Sequence, residues 1–239
     1  MRLLESTGIA GRPNESLHGP SESFHRKKAG LEGDDYADFL AWVIKEGTTS
    51  NGVFGVKLSG SESGLRDFVK KISPLPFVDS EAPAPKQLES VFPGLKYIWV
   101  TRRNRVRQAV SEMKAVQTGF WSSFHHETRK QWAAANKGEP QFDLELLEEK
   151  VTKFLLEDAF FAEFFSEHGI QPYVLVYEDF IQDLEGTLRA LLRFLGIPIP
   201  QDLSIDWDFL PKKQADDISE AFVQKYREYK QAGWNRRSW

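Results

Sequence analysis

Four arginines, Arg102, Arg103, Arg105 and Arg107, crowd a single turn of the chain, and Ser111 follows Arg107 at i+4, on the same face of a helix. Such a group suits a phosphate. A helix N-terminus presents unpaired N–H groups and a partial positive charge, and arginine adds a rigid fork of donors beside it. The ordinary alternative for a basic run is a solvated face, and position is what separates the two.

The elements around the arginines place them beyond a strand. Tyr97 to Val100 is a short aromatic and β-branched run that predicts a buried strand. Val106, Ala109, Val110 and Met113 recur at i, i+3, i+4 and i+7, which predicts an amphipathic helix, and Asn104 stands where its N-cap belongs. Ligands of open α/β sheets bind outside the C-terminal ends of the strands, where these arginines fall.

Further strands are predicted over Val53 to Leu58, with Lys57 at its end, and over Pro172 to Tyr177. Helices are predicted up to residue 7, closed by Gly8, from Asp34 or Asp35 to about Glu46, over 65–72, and from Asp143 to His168-Gly169. Two more run from Asp183 to Gly196 and from about Asp217 to Gln231. Residues 16–33 read as a polar loop, and the proline-rich residues 73–94 as an irregular connection. Strands alternating with helices imply an α/β fold with a mostly parallel sheet covered on both faces, in one domain over 1–239.

Bulk properties narrow the function. With 239 residues, a formal net charge of −4 and a pI near 5.8, the arginine cluster is a local feature, which argues against a general nucleic-acid binder. There is no cysteine, so no disulfide framework and no thiolate metal site. No apolar run approaches the ~18 residues of a membrane span. The opening MRLLESTGIAG is too short and too acidic for a signal peptide, and a cytoplasmic protein is expected. The five histidines show no metal-ligand spacing, and no metal is expected.

Five stretches taken in order, TGIAGRPNE, NGVFGVKL, RRNRVRQAVS, YEDF and KKQADDISEAFVQKYR, resemble the bacterial trehalose-2-sulfotransferase-type family. That family uses 3′-phosphoadenosine 5′-phosphosulfate (PAPS) and leaves 3′-phosphoadenosine 5′-phosphate (PAP). The resemblance implies a P-loop-NTPase-like sheet flanked by helices, the sulfotransferase fold. It implies transfer of a sulfuryl group to a hydroxyl of a carbohydrate-like acceptor, a sugar or glycolipid, and a homodimer. By resemblance Arg103 and Ser111 hold the donor's 3′-phosphate, Lys213 and Gln214 lie on a loop closing over the nucleotide, and Glu15 is the general base. The chemistry asks for such a carboxylate, because an alcohol must lose its proton as it attacks sulfur. Lys57, at the end of its strand, is placed to neutralise a sulfuryl or phosphate oxygen. His18 is an alternative base, and Phe120, Trp121 and Phe124 an alternative to core packing as a sugar-stacking wall.

One unit of the family pattern has no counterpart. The first strand and the Ser/Gly/Arg-rich loop that clasps the 5′-phosphosulfate are expected to be missing, with Met1 to Glu5 resembling the end of the helix that follows them. This keeps a second reading open: a catalytically inactive relic that binds 3′-phosphoadenosine nucleotides or a protein partner. A kinase-like phosphotransferase would need a Walker lysine and Mg²⁺ ligands that the sequence does not offer.

Overall fold

The strand–turn–helix around the arginines forms as its local signals require. In the computed structural model, which describes residues 2–31, 33, 35–58, 60–119, 138–205, 207 and 216–232, β1 spans Ile98–Thr101. The helices before it are α1 (Arg2–Glu5), α2 (Gly19–Ala29), α3 (Tyr36–Gly47), α4 (Glu62–Ile72) and α5 (Ala84–Val91). After it come α6 (Arg105–Thr118), α7 (Leu144–Glu167), β2 (Tyr173–Val176), α8 (Tyr177–Phe180), α9 (Leu184–Leu195) and α10 (Asp217–Gln231). Asn104 caps α6 by accepting from the Arg107 N–H at 3.0 Å, and Asp35, Asp143 and Asp183 cap α3, α7 and α9 in the same way. Among the described residues the sheet has two strands, β1 beside β2, in parallel. Tyr173 N–H donates to the Tyr97 carbonyl at 2.8 Å where the pairing begins.

The chain gathers into two compact units, one of Met1–Val100 with Phe160–Leu210, the other of Thr101–Ala159 with Pro211–Trp239. In the first, one core packs Phe39, Leu40 and Val43 of α3 against Phe68 and Ile72 of α4 and Leu88 of α5. A second core in that unit joins Leu3 and Leu4 of α1 to Leu188, Leu191 and Leu192 of α9, with Ile98 and Leu175 of the two strands against it. The other unit is built on α6: Ala109, Val110 and Met113 are buried against Leu147 and Phe154 of α7 and Val223 and Tyr226 of α10. The i, i+3, i+4, i+7 stripe is thus the inner face of α6.

Three expectations are corrected. Val53–Leu58 is extended but is not a strand; it makes a single antiparallel bridge, Phe54 with Thr48. Its backbone is satisfied elsewhere: Gly55 N–H donates to the Gly47 carbonyl at 3.2 Å and Lys57 N–H to the Asn14 carbonyl at 2.8 Å. Residues 16–33, read as loop, contain α2. Only one large apolar side chain, Phe24, lies in it, and that ring is 66% exposed, so periodicity is silent. The helix is held through charge instead: Glu22 accepts from Arg26 at 3.0 Å and pairs with Lys71, and the Arg26 guanidinium lies 4.6 Å from the Phe39 ring centroid. Residues 73–94 contain α5, because proline is compatible with a first helical turn, where no N–H partner is needed. Gln87 anchors that turn, donating to the carbonyls of Ser80 at 3.1 Å and Ala82 at 2.8 Å.

Candidate functional site

Glu15 and Lys57 meet. The loop between α1 and α2 docks on the end of α3 and the stretch after it, through Asn51 to the Ile9 carbonyl at 2.7 Å, Arg12 N–H to the Gly47 carbonyl at 2.8 Å, and Lys57 N–H to the Asn14 carbonyl at 2.8 Å. Gly11 makes this approach possible. Its φ is +75°, and a Cβ there would lie 2.4 Å from the Gly55 nitrogen. Asn14 brackets Glu15 with an Asx turn, its side chain accepting from the Ser16 N–H at 2.9 Å and from the Ser16 hydroxyl. Ser16 is 1% exposed, and its hydroxyl stands 3.4 Å from His25 Nδ1. The Asn-x-Ser pattern signals such a turn in the sequence, but neither residue was singled out there.

On this stiffened loop the Glu15 carboxylate, half exposed, forms a hydrogen-bonded ion pair with the Lys57 ammonium. Burial pushes the Glu15 carboxyl up, but the hydrogen bond and charge of Lys57, with the charge of His18, outweigh it and leave the group below the ordinary glutamate value of 4.5. The carboxylate is therefore ionised at neutral pH and able to take a proton. Lys57 ends up beside Glu15 rather than alone at a strand end.

In the second unit the structure sorts the arginines. Arg105 turns inward, 12% exposed, pairing with Asp158 of α7 and donating to the Thr101 hydroxyl and to Gln108 at 2.6 Å. Arg107 forks onto Glu220 of α10, with one of its two bonds at 2.6 Å. Lys114, two turns further, clasps Asp216 at 2.6 and 2.7 Å and the Ser219 hydroxyl at 2.9 Å. Asp216 is in turn the N-cap of α10, accepting from the Ser219 N–H at 2.9 Å. Arg103 and Ser111 are both exposed, and Arg103 sits at the apex of the turn, its carbonyl accepting from the Arg105 N–H at 3.2 Å. Ser111 lies between Arg107 and Lys114 on one helix face, about 9 Å along the axis from Arg105. Arg105 and Arg107 are thus engaged by acids, which the cluster in the sequence did not show.

Lys213 and Gln214, with Phe120, Trp121, Phe124 and the adjacent His125 and His126, lie outside the described residues. Among the described residues no group of three His, Asp or Glu side chains stands together as metal ligands. A cavity of about 490 Å³ in the first unit, lined in part by Lys86, Lys96, Tyr97, His168 and Phe194, contains none of the candidate residues. It opens where β1 and β2 begin, the end of a sheet that ligands of this architecture do not use.

The stretch that contains the GRPNE loop, the extended segment and the strand–turn–helix is matched as a whole by the model of a family of known proteins. The Stf0 sulphotransferase profile matches residues 1–229. The chain belongs to the Stf0 sulphotransferase family. Like other Stf0 sulphotransferases it is an enzyme of the transferase class, and its general reaction is sulfuryl transfer. Among curated relatives it is 26% identical to trehalose 2-sulfotransferase of Mycobacterium tuberculosis (strain ATCC 35801 / TMC 107 / Erdman) over 232 residues, 95% of this chain and 82% of the relative. It is 25% identical to trehalose 2-sulfotransferase of Mycolicibacterium smegmatis (strain ATCC 700084 / mc(2)155) over 246 residues, 94% of this chain and 87% of the relative. As for membranes, no described helix is long and apolar enough to cross one.

Proposed function

We propose that this Stf0 sulphotransferase moves the sulfuryl group of PAPS to a hydroxyl of a sugar-like acceptor, with Glu15 as general base. The observation that carries the reading is that the strand–turn–helix holds both Arg103, at the apex of the turn, and Ser111, in the second turn of α6, at the protein surface. The names of the two trehalose 2-sulfotransferases support the acceptor class.

In this scheme Arg103 and Ser111 hold the 3′-phosphate through charge-assisted and hydroxyl hydrogen bonds. Lys213 and Gln214 precede Asp216 by no more than three residues, a span of at most about 11 Å. By resemblance they belong to a loop that closes over the nucleotide. Glu15 accepts the acceptor's hydroxyl proton as its oxygen attacks sulfur; the bond from sulfur to the 5′-phosphate oxygen breaks, and PAP leaves. Lys57 keeps Glu15 ionised and offsets negative charge on the transferring group. The fold we infer is P-loop-NTPase-like. We place the enzyme in the cytoplasm, as a homodimer.

Incubating the protein with PAPS and trehalose, and measuring PAP release and sulfated sugar, tests the assignment. Transfer that Glu15→Gln abolishes while PAP binding survives is the expected result. PAP binding with no transfer by the wild-type protein, to trehalose or to other sugars, would favour the inactive relic.

A further inference from the structure

The turn that carries Arg103 is closed by a three-residue clip. Thr101, the last residue of β1, accepts from the Arg105 guanidinium and donates to Asp158 Oδ1 at 3.3 Å; Arg105 in turn pairs with Asp158 directly. The chain between these anchors is Arg102, Arg103 and Asn104, and the two backbone ends are further tied by the Arg105 N–H to the Arg103 carbonyl and the Asn104 cap. Arg105 and Asp158 are 12% and 29% exposed and engaged with each other, so a ligand would have to displace the ion pair to use either. Their charges cancel against each other inside the unit, beneath an exposed arginine. A third strut, Gln108, accepts from the other arm of Arg105 at 2.6 Å and fixes the guanidinium to the first turn of α6.

We infer that Arg105, Asp158 and Thr101 are positioning residues for Arg103, fixing the strand-to-helix turn so that its guanidinium is pre-aimed at the donor's 3′-phosphate. This rests on the nucleotide reading above and goes beyond it by naming what sets the selectivity for a 3′-phosphorylated nucleotide. The physical reason is preorganisation. Fixing the backbone on both sides of Arg103 removes the part of the conformational freedom that an open turn would have to lose on binding. A clip that only held the fold together would affect all ligands alike. One that aims Arg103 affects the increment contributed by the 3′-phosphate and leaves the rest of the nucleotide untouched.

The test compares PAP with adenosine 5′-phosphate, which lacks the 3′-phosphate, by calorimetry on the full chain. Asp158→Asn keeps the shape of the side chain and an acceptor for Thr101 but removes the charge. Thr101→Val removes only the hydroxyl between them, and Arg105→Lys keeps the charge without the fork. Asp158→Asn is expected to weaken PAP about tenfold with adenosine 5′-phosphate changed less than about twofold. Thr101→Val should give a smaller loss in the same direction, and Arg105→Lys a partial one. Variants that bind both nucleotides as the wild type does, or lose both equally, overturn the inference. If Asp158→Asn does not fold, Thr101→Val, which leaves the ion pair in place, decides by the same ratio. A wild-type protein with no preference for PAP removes the nucleotide reading and this inference with it, and is distinguished by appearing before any variant is made.

Discussion

Asp216 has two roles that substitution can separate. Its carboxylate caps α10, and it receives the Lys114 ammonium at 2.6 and 2.7 Å. Asparagine caps a helix as well as aspartate does, so Asp216→Asn keeps the first role and loses the charge of the second. The Asp216 side chain is 52% exposed, so the pair is screened and contributes between about 0.2 and 1 kcal/mol. Asp216→Ala loses the cap as well, a further cost of about 1 kcal/mol. The pH dependence gives a second handle. The Lys114 hydrogen bond, opposed by burial and aided by Ser219, draws the Asp216 carboxyl from its ordinary 3.8 down to about 2. A folded-state value below the unfolded one means that the stabilisation is present above 3.8 and lost as pH falls toward about 2. Urea unfolding followed by circular dichroism should therefore show a gap of at most about 1 kcal/mol between wild type and Asp216→Asn at neutral pH. That gap should close as the solution approaches about pH 2. The alanine variant should sit about 1 kcal/mol lower again. Equal losses for asparagine and alanine, or an asparagine gap that does not narrow with acid, would refute this account of the clasp.

Other outcomes follow from the first unit. In Lys57→Met, Glu15 keeps the burial that raises its carboxyl and loses the ammonium that lowers it, so the acid limb of the kcat/KM profile should move to higher pH; an unmoved limb would separate Lys57 from the base. Gly11→Ala puts a Cβ at 2.4 Å from the Gly55 nitrogen on a residue with φ +75°, and should cost more than about 2 kcal/mol. Gly8→Ala, at φ +67° with nothing within 4 Å, carries the conformational cost alone, about 1 kcal/mol. Thermal midpoints that fall equally in the two alanine variants would dismiss the close backbone contact as the cause.

What was legible in the sequence is what local chemistry decides. The apolar run before Thr101, the Asn104 cap and the stripe from Val106 to Met113 each act within a turn or two of their own position, and β1 and α6 form where they predict. What was hidden is the choice of partners. Arg105 and Arg107 look alike in the sequence, yet one is matched by Asp158 and the other by Glu220, 113 residues away, which no local pattern announces. The α2 helix escaped because charge, not an apolar stripe, holds it. The strand at Val53–Leu58 was over-read because an apolar run reports burial, while a strand also needs a ladder partner; here the Gly11 loop takes that place. The nearness of Lys57 to Glu15, 42 residues earlier, was likewise invisible until that loop had docked.

The account stands on Arg103 and Ser111 reading a 3′-phosphate, and the affinity of the wild-type protein and of Arg103→Ala for PAP and for adenosine 5′-phosphate measures this directly. Hydrogen bonds to a charged group contribute about 1.5–3 kcal/mol, so the wild type should prefer PAP by about 10- to 100-fold and Arg103→Ala should abolish most of that preference. A wild-type protein indifferent to the 3′-phosphate, or a preference that survives the loss of Arg103, would contradict it.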